Sequence, residues 1–448
     1  MDETQPTDSG ASGNVAVTFF TTTFAKSMPE QVYSVPLSTL ADGLNALLQS
    51  VLELPASQKF DYLLNDEFIT SSLQRFLHRR GISYESVLNI EYTPALQAKE
   101  SSLLPHDDWV SCVRSPFHGN AEVLVTGAYD HCVRVWDGEN CLALGTFHRE
   151  GVKEVSLHPV KAAPAAGATR SSQKRQREHG AAEDFRLASC SKDGTIAGWR
   201  FDSSTSKLEL LGSVQAHADG IDSVQVSPKM GRLVATASWD TTVKVFEWDR
   251  LADGGDTLPS KKPPVVSFTD HTRPVLSCRF SAAHDEQQLY SAGLDGVLKS
   301  LDVAQAQLLA QYPGDHAINK IAVRPSVSSA GADLILTACT DNRARLYDSR
   351  QKALVKTFSG HRQWLYSAAW IWDEADEHAE SGSGVLFATG SEDGTVRVFD
   401  LRSTAGALLT MDALHTDGVL DVTYAGESFI VSCGKDNKTR SFSLSKEA

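Results

Sequence analysis

The chain of 448 residues lacks the features that mark several classes of protein. No apolar stretch approaches the ~20 residues that a membrane-spanning helix needs, and the first residues, MDETQPTDSGASGN, do not follow the charged-then-apolar order of a signal peptide. The seven cysteines include no CxxC pair, which argues against a zinc site or a disulfide framework. We therefore expect no membrane segment, and cysteines that stay reduced in the cytosol or nucleus.

Basic residues and catalytic motifs are also scarce. The 42 lysines and arginines are outnumbered by 56 aspartates and glutamates, so the formal net charge is −14. This balance argues against a protein that wraps nucleic acid over a broad basic face, while direct RNA contact by a local patch stays open. The sequence contains no GxxxxGK[ST] phosphate loop, no GxSxG elbow and no HExxH motif. We predict that the chain is not an enzyme and holds no cofactor or metal of its own.

An internal repeat is the strongest pattern present. Seven times, a short apolar run and one or two small residues precede an aspartate and a second, alternating run. Each unit is typical of two strands joined by a tight turn. A histidine such as His217 opens another apolar run some twenty to thirty residues before most of these aspartates. The repeated aspartates are Asp130, Asp193, Asp240, Asp295, Asp341, Asp393 and Asp436.

These units resemble the WD40 repeat, in which four strands form each blade of a β-propeller. The resemblance covers 107–448 and implies a mainly β fold with seven blades. We interpret the aspartates and histidines as a structural network rather than as catalytic groups, because each pair can satisfy the other and nearby backbone donors. His148 and His316 fit this pattern, whereas the first unit, which begins near Asp107, is expected to lack the histidine.

Two segments complete or interrupt this array. After Asp436 the chain has room for only one more strand, so the linker 94–106 is predicted to supply the missing outer strand and close the ring. Residues 160–185 are rich in Ala, Gly, Ser and charge and are predicted to form a flexible surface loop. Its basic cluster is interpreted as a nuclear-import signal, as a contact with RNA, or as an ordinary solvated charge run. The cluster consists of Arg170, Lys174, Arg175 and Arg177.

Residues 14–93 show a different pattern, after a tail of residues 1–13 that we expect to be disordered. Ser38 is the expected N-cap of the first helix, and Leu40 is the first member of its apolar face. The order of elements suits a ubiquitin-like β-grasp (α+β) domain. The predicted elements are strand, strand, helix, strand, helix and strand, at 15–24, 31–37, 38–52, 60–64, 71–81 and 87–92.

The stretch 60–92 and the HDDWVSCV junction at 106–113 make the resemblance more specific. The first is similar to the NLE-type ubiquitin-like domain that precedes WD propellers in ribosome-assembly factors. The whole chain resembles the Ytm family, the WD-repeat subunits of the PeBoW complex. This resemblance implies a non-enzymatic adaptor in large (60S) ribosomal subunit biogenesis, required for pre-rRNA processing in the nucleus, nucleolus and nucleoplasm. It also implies Bop/Erb-family and Pescadillo-family proteins and the pre-60S particle as partners.

The same resemblance implies a role for one acidic residue. In this family the ubiquitin-like domain docks onto the metal-ion-dependent adhesion site of midasin, an AAA ATPase that removes the complex from pre-60S particles. An acidic side chain completes the coordination of the partner's Mg²⁺, a hard cation that prefers carboxylate oxygen. By motif that residue is Glu85, in GISYES, with Asp66 and Glu67 as rivals. The alternative is that Glu85 is an ordinary solvated glutamate.

Exposed aromatic residues on the propeller are candidates for a partner interface. In WD propellers the residue before each turn aspartate points to the top face, and here Tyr129 and Trp239 hold such positions. Trp364 is a third candidate. Each could instead pack against a neighbouring loop. A rival function, the substrate receptor of a cullin ubiquitin ligase, follows from WDxR-like sequences at 347–350 and 399–402.

Overall fold

The computed structural model describes residues 13–22, 24–65, 67–116, 123–160, 184–252, 262–324, 333–371, 385–402, 406–412, 414–426 and 428–445. The chain divides into an N-terminal unit, up to Gln97, and a second unit, Ala98–Leu444. Nearly all of the predicted tail 1–13 and insertion 160–185 lies outside the described residues, so both stay predictions. Within the described ranges, no helix combines the length and the apolar character that crossing a membrane requires.

The N-terminal unit combines one five-stranded sheet with two helices. Its elements are β1 (Asn14–Phe20), β2 (Tyr33–Pro36), α1 (Ala41–Leu52), β3 (Phe60–Leu64), β4 (Glu67–Phe68), α2 (Leu73–Arg80) and β5 (Leu88–Pro94). The strand order is β2-β1-β5-β3-β4, with β5 parallel to β1 and antiparallel to β3. Alternate side chains of β1, including Val15 and Val17, pack into one core with Leu44 and Leu48 of α1. The predicted domain of strands and helices is confirmed.

The start of α1 differs from the sequence prediction. The prediction that Ser38 caps this helix is wrong, because the helix begins at Ala41, its N-cap residue is Leu40, and no described side chain caps it. The chain first makes a turn in which the Thr39 amide donates to the Pro36 carbonyl at 3.0 Å. As a result Leu40 is 57% exposed and is not part of the apolar face that packs into the core.

The described part of the second unit contains seven four-stranded sheets, numbered here as blades 1–7 in chain order. Blades 1 and 2 contain β7 (Val110–Arg114), β8 (Val123–Ala128), β9 (Cys132–Asp137), β10 (Asn140–Thr146), β11 (Val152–Pro159), β12 (Phe185–Ser191), β13 (Thr195–Asp202) and β14 (Lys207–Gln215). Blades 3 and 4 contain β15 (Ile221–Val226), β16 (Leu233–Ser238), β17 (Val243–Glu247), β18 (Val266–Phe268), β19 (Val275–Ser281), β20 (Asp285–Gly293), β21 (Leu298–Asp302) and β22 (Gln307–Tyr312). Blades 5 and 6 contain β23 (Ile318–Val323), β24 (Leu334–Cys339), β25 (Arg343–Asp348), β26 (Ala353–Ser359), β27 (Leu365–Ile371), β28 (Leu386–Ser391), β29 (Val396–Asp400) and β30 (Leu409–Met411). Blade 7 contains β31 (Val419–Gly426), β32 (Phe429–Gly434), β33 (Lys438–Ser445) and β6 (Gln97–Pro105).

The blades form a closed ring. The first strand of each blade contacts the first strand of the next, and β31 of blade 7 contacts β7 of blade 1. Second strands such as β8 are buried on both faces, because the neighbouring blades cover them. One position shows how tight this packing is: a Cβ atom added to Gly127 would lie 2.8 Å from Val152 Cγ1 of the next blade. The predicted mainly β fold with a WD40 propeller is confirmed.

Two elements depart from the simple blade pattern. Strand β6, which precedes blade 1 in the chain, lies outermost in blade 7 beside β33. A short helix, α3 (Trp248–Ala252), follows β17 and packs against β13 and β14 of blade 2. Its Trp248 and Leu251 side chains are buried in the core between blades 2 and 3. This helix therefore fills the space between two blades.

Candidate functional site

The turn between α2 and β5 presents Glu85. Helix α2 ends at Gly81, whose φ of +63° is the left-handed conformation that favours glycine at a helix end. The Ile82 amide donates to the Leu77 carbonyl at 3.0 Å, and the Glu85 amide donates to Ser83 Oγ at 3.2 Å. These contacts fix the backbone of the turn. The Glu85 side chain is exposed and makes no hydrogen bond or ion pair with any residue that the structure describes.

The two rival carboxylates differ from Glu85. Glu67 forms an ion pair with Arg80 of α2, and its side chain is only 15% exposed. Asp66 lies outside the described residues. The same turn exposes two apolar side chains, Tyr84 directly before Glu85 and Val87 two residues after it, which are 59% and 48% exposed. Glu85 thus lies on a turn that also exposes two apolar side chains.

Four of the described blades contain a network of histidine, aspartate and hydroxyl groups. In blade 3, His217 Nδ1 lies 2.9 Å from Asp240 Oδ2, and its Nε2 lies 2.8 Å from Thr236 Oγ1. Asp240 also accepts a hydrogen bond from the Thr242 amide at 3.1 Å, which fixes the turn. The corresponding groups in blades 4, 6 and 7 are His271, Asp295 and Ser291, then His361, Asp393 and Thr389, then His415, Asp436 and Ser432.

Blades 1 and 2 use a variant of this network. The expectation that the first unit lacks a histidine is wrong, because His106 Nε2 lies 2.9 Å from Thr126 Oγ1. Its spacing of 24 residues before Asp130 fits the other units and is the signal that could have identified it, although Asp130 pairs with Arg134 at 2.6 Å instead of with the histidine. In blade 2, His148 Nδ1 lies 2.9 Å from Thr195 Oγ1, and Asp193 is 3.9 Å away.

Blade 5 departs further from the pattern. The His316 side chain is 49% exposed, and its Nε2 lies 3.9 Å from Asp341 Oδ2. Asp341 instead accepts hydrogen bonds from the Arg345 guanidinium at 2.9 and 2.5 Å. The expectation that His316 joins a buried network is therefore wrong, because an arginine of the following strand takes its place.

Burial and hydrogen bonding shift the pKa values of these groups in opposite senses. Burial lowers the pKa of His148 to about 4, and burial together with the Arg134 charge lowers the pKa of His106 to about 4. Burial raises the pKa of Asp240, but hydrogen bonds from His217 and Thr242 outweigh it and hold the pKa below its usual range. His106 and His148 are therefore neutral at physiological pH and act as hydrogen-bonding groups.

A charged cluster lies where the first strands of the blades meet, and sequence reasoning missed it. Glu154 forms ion pairs with Arg114 and Arg279, and the distance to Arg279 is 2.5 Å. Glu154 also accepts a hydrogen bond from Ser223 Oγ at 2.7 Å. Asp421 pairs with Arg114 at 2.5 Å and with Lys320 at 2.8 Å. We call this the axial cluster, and each described blade gives it one member: Arg114, Glu154, Ser223, Arg279, Lys320, Ser367 and Asp421.

The carboxylates of the axial cluster are ionised although they are buried. Burial raises the pKa of Glu154, but the charges of Arg279, Lys320 and Arg114 outweigh it, so the pKa lies well below its usual range. The sequence carries a weak signal for this cluster, because a charged residue interrupts an apolar run early in β11, β23 and β31. These charged residues can be recognised as one cluster only in the closed ring, since Arg114 and Asp421 are 307 positions apart in the sequence.

A cavity of about 380 Å³ leads from the axial cluster to the surface. Its lining includes Tyr129 and Trp239, two of the three aromatic residues predicted as interface anchors, together with Trp109. The third, Trp364, is 54% exposed and is not among the lining residues. We call the four aromatic side chains Trp109, Tyr129, Trp239 and Trp364 the aromatic rim.

Cations and hydrogen bonds order this rim. The Tyr129 ring packs edge-on against Trp109 at 5.7 Å and has Lys192 Nζ 4.6 Å from its centroid. Trp239 donates from Nε1 to Asp222 Oδ2 at 2.6 Å, yet 47% of the residue is exposed. Tyr129 thus packs among its neighbours, whereas the exposed tryptophan faces are available to a partner.

Other predicted features are placed as follows. Arg402, in the WDxR-like sequence at 399–402, pairs with Asp400 at 2.9 Å, so its guanidinium is engaged within the blade. The described residues contain no group of three or more His, Cys, Asp or Glu side chains that could hold a metal ion. The basic cluster lies outside the described residues: Arg170, Lys174, Arg175 and Arg177.

Comparison with known families agrees with this architecture. Residues 15–77 match the NLE (NUC135) domain, and residues 98–137, 208–247 and 352–400 match the WD domain, G-beta repeat. A "Ribosome biogenesis protein WDR12 homolog" of Anopheles gambiae is 27% identical over 456 residues, covering 97% of this chain and 96% of the relative. Proteins of the same name from Drosophila pseudoobscura pseudoobscura and Drosophila mojavensis are each 28% identical, covering 94% and 97% of this chain and 93% and 96% of their own lengths. The resemblance drawn from the sequence is confirmed: the chain carries an NLE domain followed by WD40 repeats, and its homologues over nearly the whole chain are ribosome biogenesis proteins named WDR12 homolog.

Proposed function

We propose that the protein is a non-enzymatic adaptor in large (60S) ribosomal subunit biogenesis. It acts in the PeBoW complex, which is required for pre-rRNA processing, in the nucleus, nucleolus and nucleoplasm. The names of its homologues and the combination of an NLE domain with WD40 repeats support this role. Its partners are a Bop/Erb-family protein, a Pescadillo-family protein and midasin on the pre-60S particle.

The observation that carries the proposal is the position of Glu85. Its carboxylate is exposed on a turn whose backbone is fixed by the end of α2 and by Ser83. Mg²⁺ prefers oxygen ligands in an octahedral shell and often takes only one or two carboxylates from any one source. A carboxylate on this exposed turn can therefore enter the Mg²⁺ shell in the adhesion site of midasin as a last ligand, without unfolding of the NLE domain.

The apolar neighbours of Glu85 support the same reading. Tyr84, one residue before it, and Val87, two residues after it, are exposed, and a docked partner would remove them from water. Removal of water strengthens the attraction between the carboxylate and the metal ion. Midasin can then pull on the NLE domain and remove the complex from the particle, while the ATPase chemistry belongs wholly to midasin.

The propeller is proposed to hold the Bop/Erb-family partner through the aromatic rim. Exposed tryptophans such as Trp239 and Trp364 are typical anchors of a protein interface, because each buries a large apolar area with little loss of side-chain freedom. Lys153 and Lys435 line the same cavity as Trp239 and add charged groups to this surface. The rim and the Glu85 turn thus serve two different partners.

Binding of the full chain to the adhesion-site domain of midasin tests the proposal. We expect Glu85→Ala to weaken binding at least ~30-fold, since truncation of one partner of a desolvated charge contact costs about 2–5 kcal/mol. Glu30→Ala is the matched control, because Glu30 is also an exposed carboxylate of the N-terminal unit. Equal affinity of both variants and the wild type would contradict the proposal. Capture of a cullin ligase adaptor instead would favour the rival function.

A further inference from the structure

A single strand connects the proposed pulling point to the seam of the propeller. Glu85 lies just before β5, which is held in the middle of its sheet by β1 and β3. Only Ala95 and Leu96 separate the end of β5 from the start of β6. Two residues provide little slack, because an extended chain spans at most ~3.6 Å per residue. Tension applied at Glu85 therefore reaches β6 through the backbone of β5 and these two residues.

Strand β6 is held from one side, with few buried side chains. It is the outermost strand of blade 7, and its described neighbour in the sheet is β33. Of its nine described residues only Leu104 is buried. Two polar contacts also join β6 to β33. Ser102 Oγ lies 2.6 Å from Ser441 Oγ, and the Arg440 guanidinium donates a hydrogen bond to Glu100 at 2.5 Å. An outer strand with one buried apolar anchor is the least firmly attached part of such a sheet.

The end of β6 with the fewest buried side chains is the end nearest Glu85 in the chain. The pairs Ser102–Ser441 and His106–Asn437 show that β6 runs antiparallel to β33. The anchors lie at the C-terminal end, where Leu104 is buried and the His106 amide donates to the Asn437 carbonyl at 2.9 Å. The N-terminal end, which follows directly from β5, is mostly exposed. Tension thus loads first the hydrogen bonds that the fewest side-chain contacts protect.

Leu104 also joins the first blade to the last. It packs in one apolar cluster with Val110 and Leu124 of blade 1 and with Val431 and Cys433 of blade 7. Removal of β6 would leave blade 7 with three strands and take this side chain out of the cluster. Release of one strand would therefore weaken the joint that closes the ring.

We propose that β6 is a tension-sensitive strap: a pull on Glu85 travels along β5, detaches β6 from β33 and opens the seam between blades 7 and 1 before either unit unfolds. That midasin applies this force rests on the proposed function, whereas the detachment of β6 before either unit unfolds is a property of this chain. Opening of the seam distorts the propeller while a partner is bound to it. A pull at the NLE domain would then loosen the grip of the propeller on that partner.

Force measurements on the full chain in an optical trap test the strap without midasin. The handles are attached in a Cys141→Ser background, at Glu85→Cys and at Gln351→Cys, an exposed position before β26 in blade 5. We expect a first event that lengthens the tether by no more than about 45 Å, the extended length of residues 97–109. Unfolding of the NLE domain or of the whole propeller as the first event would overturn the proposal.

A cysteine lock and a different pulling point provide the controls. Ser102→Cys with Ser441→Cys, oxidised before the handles are attached, is expected to abolish the short event, and dithiothreitol is expected to restore it. Pulling between native Cys141 in blade 1 and Gln351→Cys, with Glu85 unchanged, is expected to lack the short event, because the chain between these two points does not include β6. Persistence of the short event in the locked chain would overturn the proposal.

A second variant covers the case in which the lock does not form. Leu104→Ala removes the buried anchor of β6 and is expected to speed the short event at constant force at least ~10-fold. An unchanged rate would overturn the proposal. Failure of Glu85→Ala to affect midasin binding would leave these results untouched, so the two hypotheses can fail separately.

Discussion

Replacement of Glu154 by glutamine is the sharpest test of how the propeller is held together. The substitution keeps the size of the side chain but removes a buried negative charge that faces Arg114, Arg279 and Lys320. Loss of one partner from a buried ion pair typically costs about 3–5 kcal/mol, because the other charge is left without compensation. Here the cost falls chiefly on Arg279, whose described ionic partner is Glu154, while Arg114 and Lys320 retain Asp421.

Thermal unfolding followed by tryptophan fluorescence measures this cost. For a unit the size of Ala98–Leu444, an unfolding entropy of about 2.1 cal/mol/K per residue converts 1 kcal/mol into roughly 1.4 °C. Glu154→Gln is therefore expected to lower the Tm by about 4–7 °C. Glu209→Gln is the matched control, because that residue is exposed on β14. A Glu154→Gln variant within about 1 °C of the wild type would refute the reasoning.

Three further predictions concern the blade networks and the aromatic rim. Because burial lowers the folded-state pKa of His148 to about 4, the unfolded chain binds a proton that the folded chain does not between pH ~6.5 and ~4. Stability should therefore fall by about 3 kcal/mol as pH is lowered through that window, and urea titrations of His148→Asn should have a shallower pH slope than the wild type. Asp240→Ala should cost about 1–3 kcal/mol in the same assay, since it leaves the buried His217 Nδ1 without its carboxylate partner. Trp239→Ala should weaken binding of the Bop/Erb-family partner ~30-fold or more in calorimetry, whereas Leu144→Ala, at an exposed outer-strand residue, should not.

The repeat made the propeller predictable from the sequence. Seven turn aspartates at similar spacing fix where each pair of inner strands turns, since that turn needs a side chain that accepts hydrogen bonds from the backbone after it. The linker prediction came from the same count of strands, and the structure places β6 beside β33 in blade 7. Regular local patterns thus carried most of the architecture.

The departures arose where a contact depends on a residue distant in the sequence. His106 is a different case, because it lies 24 positions before Asp130, within the spacing of the other units, and its contact with Thr126 matches theirs. The axial cluster could not be assembled from its weak sequence signal, because Arg114 meets Asp421 only when the ring closes. Single charged residues in apolar strands have no evident partner until the tertiary structure supplies one.

For the candidate binding residues too, the sequence identified candidates and the structure distinguished between them. Sequence resemblance pointed to Glu85, but only the structure could separate its exposed carboxylate from Glu67, which is engaged by Arg80. Trp239 and Trp364 are exposed as an interface anchor requires, whereas Tyr129 packs under Lys192. Exposure and pairing are properties of the fold, so the sequence alone could not rank these residues.

The most direct test of the account is a two-by-two measurement of metal dependence. Affinity of the full chain for the adhesion-site domain of midasin is measured with Mg²⁺ and with EDTA, for the wild type and for Glu85→Ala. If the carboxylate is a ligand of the metal ion, EDTA and the substitution remove the same interaction, so the double loss should not exceed the larger single loss. Losses that add, or binding that is indifferent to both changes, would contradict a metal-bridged contact at Glu85.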